Sequence, residues 1–312
     1  MDRLATSLLL LATGCIPAAP GDLTPEPLPP PPDQSAQVVL EWSVEDTSRA
    51  TPEQGDVEAS DSRIIDVDVW VPPHSGPGSD ERPLVFLLHG LEGHPDTMTG
   101  IARHLTDADM VVALPRFPVT AADASGSLGS IVDFPNQPGD VSFVLDRLLA
   151  LREDDASPLF RRFHEERIGV IGHSLGGSTT LALTHIGSTL DPRISAAVAV
   201  APASPVLGLY LDTPVLVPTG APVAISVGNE DTLRGDSDLL FDQLGAPKAL
   251  VGIPGADHNQ PVLGDEEPDP EPRSVTQGLA ELWFGEHLLG EPSTLESWME
   301  SLDPNYTTRI ER

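Results

Sequence analysis

The stretch Gly172-His173-Ser174-Leu175-Gly176-Gly177 constrains what this chain can fold into more than any other, because of what flanks it. An apolar run at 168–171 precedes it and reads as a buried strand. Apolar residues at three- and four-residue spacing over 175–185 follow it and predict a helix. A strand that turns directly into a helix leaves little room where the two backbones and a neighbouring strand crowd together, and glycine at 172, 176 and 177 meets that demand. Ser174 then stands at the apex of a tight, strained turn with its hydroxyl raised above the end of the strand. A glycine-rich turn with an incidental serine would show the same letters. The strand before and the helix after separate the two readings, and they make Ser174 the candidate nucleophile.

The rest of the chain repeats that strand-then-helix theme. Short apolar segments at 84–88, 110–114, 168–171, 194–201, 222–227 and 249–253 predict strands, and 140–151, 175–185 and 276–289 predict helices. Such alternation means an α/β architecture, a mostly parallel sheet with helices on both faces. The segments 38–44 and 64–71 come before it. In the second, Ile65, Val67 and Val69 alternate with Asp66 and Asp68, the period of a half-buried strand, and the pair predicts an antiparallel N-terminal edge. One domain over 37–312 accounts for all of this. Hydrophobic residues make up 39% of the chain and aromatics only 4%, so its core must be built mainly from Val, Leu, Ile and Ala.

A net charge of −31 argues against nucleic acid as a partner, since most of the surface repels phosphate. No EF-hand-like spacing of carboxylates points to calcium. The single cysteine, Cys15, rules out an intrachain disulfide and a cysteine-based metal site. Its setting is informative: the apolar run 4–12 ends in Thr13-Gly14-Cys15 and resembles a bacterial lipoprotein signal. That resemblance implies a signal peptide over 1–14, a lipidated Cys15, and an exported protein held on a membrane through its N-terminal anchor. An ordinary cleaved signal, leaving a soluble secreted protein, is the alternative. Prolines dominate 17–32, ending in Pro29-Pro30-Pro31-Pro32, which predicts an extended tether over 15–36. No segment supplies the roughly twenty apolar residues of a membrane-spanning helix.

If Ser174 attacks a carbonyl, two backbone N–H groups must point at the oxyanion that forms, one from the residue after the nucleophile and one from an earlier strand-end loop. Leu175 fits the first post. The loop Leu87-Leu88-His89-Gly90-Leu91-Glu92-Gly93 supplies Leu91 for the second, with His89 expected to hold the loop rather than to react.

Over roughly 37–290 these features resemble the α/β-hydrolase superfamily. Three segments resemble, more narrowly, bacterial esterases related to platelet-activating-factor acetylhydrolase and the predicted dienelactone hydrolases: RIIDVDVWVP at 63–72, the LLHGLEG loop, and NQPGDVSFVL at 136–145. True dienelactone hydrolases carry a cysteine nucleophile where this chain has serine, so their named reaction does not transfer. The superfamily order of serine, acid and histidine implies Asp231, in Gly228-Asn229-Glu230-Asp231 after the strand at 221–227. Glu230, Asp236 and Asp238 are the competing carboxylates. It implies His258 beyond the strand at 248–253, read as the last of the sheet. The resemblance thus implies a serine hydrolase of small-molecule or polymeric carboxylic esters that works through a Ser-Asp-His triad, with no metal and no organic cofactor. The interval from about Pro205 to about Ala221 is too short for a large helical lid, which predicts a preference for short acyl chains. A cutinase-like polyester hydrolase is the alternative enzyme, against which stand Leu175 where many such enzymes have methionine and the scarcity of aromatics. A non-catalytic surface-binding lipoprotein on the same fold is the alternative from another class.

Overall fold

The alternation read over 64–71 places one row of side chains in the core and the other outside. In the computed structural model, Ile65, Val67 and Val69 are buried while Ile64 is 52% exposed. The structure describes residues 38–73, 82–122, 128–210, 216–217, 220–262 and 271–312, so the signal peptide expected over 1–14, Cys15 and the tether expected over 15–36 lie outside the described residues. In chain order the elements are β1 (Val38–Asp46), β2 (Arg63–Val71), β3 (Leu84–Leu88), α1 (Thr99–Asp107), β4 (Val111–Arg116), α2 (Gln137–Glu153), β5 (Ile168–His173), α3 (Leu175–His185), β6 (Ile194–Val200), α4 (Ser204–Tyr210), β7 (Val223–Gly228), α5 (Arg234–Gln243), β8 (Lys248–Ile253), α6 (Glu271–Phe284), α7 (Leu295–Ser301) and β9 (Thr307–Glu311).

The strands form a nine-stranded sheet in the order β1-β2-β4-β3-β5-β6-β7-β8-β9. β1 pairs antiparallel with β2 along its length, Val38 opposite Val71 and Asp46 opposite Arg63, and β2 pairs antiparallel with β4. From β4 through β3, β5, β6 and β7 to β8 every pairing is parallel. The parallel strands therefore end at one edge of the sheet, and the loops after β3, β5, β7 and β8 gather there, where α/β sheets place their ligands.

Strand β3 shows how both faces are sealed. Leu84, Phe86 and Leu88 pack with Val141, Val144, Leu145 and Leu148 of α2 and with Leu181 of α3 on one face. Val85 and Leu87 pack with Ile101 and Leu105 of α1 and with Leu279 and Trp283 of α6 on the other. Each such fully buried side chain contributes about 1.5–3 kcal/mol, so the two apolar layers are the main stabilising element.

Three expectations need correction. β8 is not the last strand, because β9 pairs with it antiparallel, Lys248 opposite Glu311. β9 reads TTRIE, with one aliphatic residue, and a half-exposed edge strand needs no apolar run. β6 ends at Val200, so the interval before β7 opens earlier than about Pro205, and the short helix α4 occupies part of it. The helix expected over 276–289 is α6 followed by one π-type turn, Gly285–Leu289.

The antiparallel edge is fastened to α2 by a buried ion network. Arg63 is 0% exposed. Its guanidinium donates to both oxygens of Asp140 (2.8 and 2.7 Å) and to both of Asp133 (3.1 and 2.8 Å). Arg49 adds contacts to Asp46 at 2.6 Å and to Asp140 at 2.8 Å. Burial opposes the charge on Arg63, but the Asp140 and Asp133 carboxylates outweigh it and hold the guanidinium protonated above its ordinary range. Removing the Arg63 guanidinium would take the cation from buried Asp133 and leave buried Asp140 paired with Arg49. Arg63→Met is therefore expected to destabilise the fold by about 3–5 kcal/mol, read by urea denaturation. A loss under about 1 kcal/mol would show the network to be dispensable.

Candidate active site

The turn after β5 has the shape its glycines required. Ser174 has φ 55° and ψ −116°, a left-handed conformation that a non-glycine residue adopts only when its surroundings impose it. The surroundings are close. A Cβ on Gly172 would lie 2.3 Å from the Gly176 carbonyl oxygen, and one on Gly176 would lie 2.3 Å from that of Leu88. One on Gly177 would lie 2.8 Å from the oxygen of Val200. The Ser174 N–H donates to the Val200 carbonyl at 2.8 Å, tying the turn to β6.

Asp231 and His258 arrive from the loops after β7 and β8. His258 Nε2 is 2.9 Å from Ser174 Oγ, and His258 Nδ1 is 2.8 Å from Asp231 Oδ2. A carboxylate can only accept, so Nδ1 carries the proton and Nε2 presents its lone pair to the serine hydroxyl. Asp231 is 6% exposed. Burial works against its charge, yet the hydrogen bonds from His258 and from the Leu233 N–H to Oδ1 (2.8 Å) prevail, and the carboxyl is held below its ordinary range. A Cβ on Gly228 would lie 2.2 Å from the Ala256 carbonyl oxygen, so glycine there lets the two loops approach. The rival carboxylates lie elsewhere: Glu230 is exposed, Asp236 accepts from Ser204 Oγ at 2.9 Å, and Asp238 pairs with Arg234 at 3.1 Å.

The loop after β3 folds over the serine. Gly93 N–H donates to Gly90 O at 3.0 Å, closing a turn whose centre is Leu91 and Glu92, with Glu92 at φ 55°. A Cβ on Gly90 would come within 3.0 Å of Ser174 Cβ, so glycine there lets the loop come this close to Ser174. Among the described residues, no carbonyl or side chain takes the N–H of Leu91 or of Leu175. His89 is 1% exposed and bridges Gly90 O (2.8 Å, through Nδ1) and the Phe117 N–H (3.1 Å, to Nε2), in keeping with the loop-holding part expected of it.

One residue the motif carried without an assigned part is His173. Its Nε2–H donates to the backbone carbonyl of His258 at 2.8 Å, and the two rings lie 4.7 Å apart. Burial, then the neighbouring His258, push its pKa down to about 4, so it stays neutral and acts as a fixed donor that holds the histidine loop. Nothing in the sequence says that the loop after β8 falls on the residue preceding the serine. Among the described residues, no group of three or more His, Cys, Asp or Glu side chains is placed to hold a metal ion.

No protein-family model matches the chain, and no curated protein matches its sequence. Among solved structures it is similar to a ferulic acid esterase from Streptomyces cinnamoneus, with a TM-score of 0.67 and 20% identity over 90% of this chain and 98% of that one. With its sheet order and the helices on both faces, this chain has the α/β-hydrolase fold.

Proposed function

We propose that this chain is a serine hydrolase of carboxylic esters, with Ser174 as nucleophile, His258 as base and Asp231 as the acid that orients it. The observation that carries the reading is the unbroken line from Ser174 Oγ to His258 Nε2 (2.9 Å) and from His258 Nδ1 to Asp231 (2.8 Å). Similarity to a protein described as a ferulic acid esterase agrees with ester chemistry. So does the narrower resemblance of three sequence segments to acetylhydrolase-related esterases.

In the first step Ser174 Oγ attacks the ester carbonyl carbon while its proton passes to His258 Nε2. The carbonyl oxygen becomes an oxyanion, which the N–H groups of Leu91 and Leu175 stabilise as hydrogen-bond donors. Collapse of the tetrahedral intermediate breaks the bond to the alcohol oxygen, which leaves with the proton from His258. Water then attacks the acyl-enzyme with His258 again as base, releasing the acid and restoring the serine hydroxyl. Asp231 stays ionised throughout and offsets the positive charge on the imidazolium.

The His258 side chain is 32% exposed, and Ser174 is partly exposed, so small esters reach the nucleophile without interfacial activation. On a p-nitrophenyl ester series, kcat/KM is expected to peak at acyl chains of about two to six carbons, because the interval between β6 and β7 is too short to supply a large lid over longer chains. Faster turnover of emulsified long-chain triglyceride than of soluble short esters would overturn that preference. Failure of the wild type to react with a fluorophosphonate would overturn the hydrolase itself and favour a binding protein on this fold.

A further inference from the structure

The N-terminal end of α2 carries a buried polar side chain that the chemistry above does not use. Gln137 is 0% exposed, as are Thr120 and Thr179 on either side of it. Gln137 Nε2 donates to Thr120 Oγ1 at 2.8 Å, and Thr179 Oγ1 donates to Gln137 Oε1. Each threonine continues toward the oxyanion site. The backbone carbonyl of Thr120 accepts the Glu92 N–H at 2.8 Å, fixing the turn that presents Leu91. Next to it, Ala122 N–H donates to Gly93 O at 2.9 Å. On the other side, Thr179 Oγ1 lies 3.0 Å from the carbonyl oxygen of Leu175, one helical turn earlier in α3.

From this continuity we infer that Gln137 is a positioning residue that sets the spacing between the Leu91 and Leu175 N–H groups; the inference rests on the ester-hydrolase reading of the same site. Leu91 lies in the loop after β3 and Leu175 opens α3 after β5, and among the described residues the β3–β5 ladder ends at Leu88 opposite Gly172, short of both. A primary amide suits a strut of this kind, since it donates at one end and accepts at the other through a planar group of fixed length. Oxyanion stabilisation depends on donors held near 3 Å from where the charge develops, so a small change in their separation weakens the transition state more than the ground state.

The strut is itself clamped. Arg63 binds Asp133, four residues before Gln137, and Asp140, three residues after it. Arg49 donates to the Asn136 carbonyl at 3.1 Å and packs where a Cβ on Gly139 would stand, 2.6 Å from its Nη1. The segments RIIDVDVWVP and NQPGDVSFVL thereby have a common use: Arg63 from the first and Asp140 from the second hold the turn that carries Gln137.

The test uses the full chain and p-nitrophenyl acetate, with active sites counted by fluorophosphonate titration. Gln137→Met keeps the length and removes both hydrogen bonds, and Thr120→Val removes one hydroxyl. Both are expected to lower kcat per titrated site by roughly 10- to 100-fold while KM changes less than about threefold, a share of the effect of losing one oxyanion donor outright. The inhibition constant of phenylboronic acid, whose adduct with Ser174 places an oxygen in the same site, should rise by a similar factor. Thr120→Ser keeps the hydroxyl and should restore both values. A packing role would lower the melting temperature or the number of titratable sites but leave kcat per site and boronate affinity unchanged, and that result would overturn the inference. Loss of soluble protein in both Gln137→Met and Thr120→Val would assign the network to the core and overturn it as well. An inactive, unlabelled wild type would instead overturn the hydrolase reading, whereas an active wild type with unaffected variants defeats the strut alone.

Discussion

Ser174→Ala is expected to abolish covalent labelling by a fluorophosphonate and to lower ester turnover by about a million-fold, since a nucleophile and its base act as a unit. The substitution keeps Cβ and removes one oxygen, and alanine meets the same φ of 55° as serine, so the turn keeps its shape and the melting temperature should move little. The lost atom is the one 2.9 Å from His258 Nε2, and no other hydroxyl is hydrogen-bonded to that nitrogen among the described residues. Ser178 Oγ is turned instead toward the carbonyls of Ser174 and Ala203. Residual catalysis would come only from the Leu91 and Leu175 N–H groups acting on bound ester and water. Labelling of Ser174→Ala at the wild-type rate, or turnover within tenfold of wild type, would remove Ser174 from the mechanism.

The legibility of this site in the sequence follows from how local each constraint is. The turn at Ser174 was readable because its requirement is contiguous: strand, glycine, serine, two glycines and helix lie within some twenty residues, and the close contacts at Gly172 and Gly176 are the physical reason for that spelling. The loop at 87–93 was readable for the same reason. Asp231 and His258 were implied by the superfamily order of serine, acid and histidine and by the strands before them, and the sequence alone left Glu230, Asp236 and Asp238 in contention. Only the folded chain separates them, since the hydrogen bonds that distinguish Asp231 come from residues 233 and 258. His173 and Gln137 lay further from view. Each is hydrogen-bonded to segments distant along the chain, His173 to residue 258 and Gln137 to residues 120 and 179, and a single polar residue leaves no periodicity to read. β9 and α5 escaped for the opposite reason. Both lie toward the outside of the sheet and are rich in charge, so neither shows the apolar pattern by which buried elements are recognised.

Asp231→Asn is expected to lower turnover by about 10⁴-fold with the fold intact, and the hydrogen bonds of this carboxylate explain why so small a change costs so much. Asp231 uses Oδ1 to accept the Leu233 N–H at 2.8 Å and Oδ2 to accept His258 Nδ1–H at 2.8 Å. An asparagine must give one of these positions to its NH₂ group. The Leu233 N–H can only donate, so the amide oxygen is held on that side and the amide N–H faces the imidazole. His258 Nδ1 then becomes the acceptor, the ring proton moves to Nε2, and the nitrogen facing Ser174 has no lone pair with which to take its proton. The imidazolium formed during attack also loses its buried counter-charge. Because the Leu233 bond survives, the melting temperature should hold within a few degrees, whereas Asp231→Ala would leave that N–H without its acceptor and cost roughly 1–3 kcal/mol besides. The same conservative change at Glu230, Asp236 or Asp238 should leave kcat within a few-fold, because among the described residues the carboxylate hydrogen-bonded to His258 is that of Asp231. If Asp231→Asn retains more than about a tenth of wild-type kcat, or if the loss appears at Asp236 or Asp238 instead, the orienting acid is misassigned.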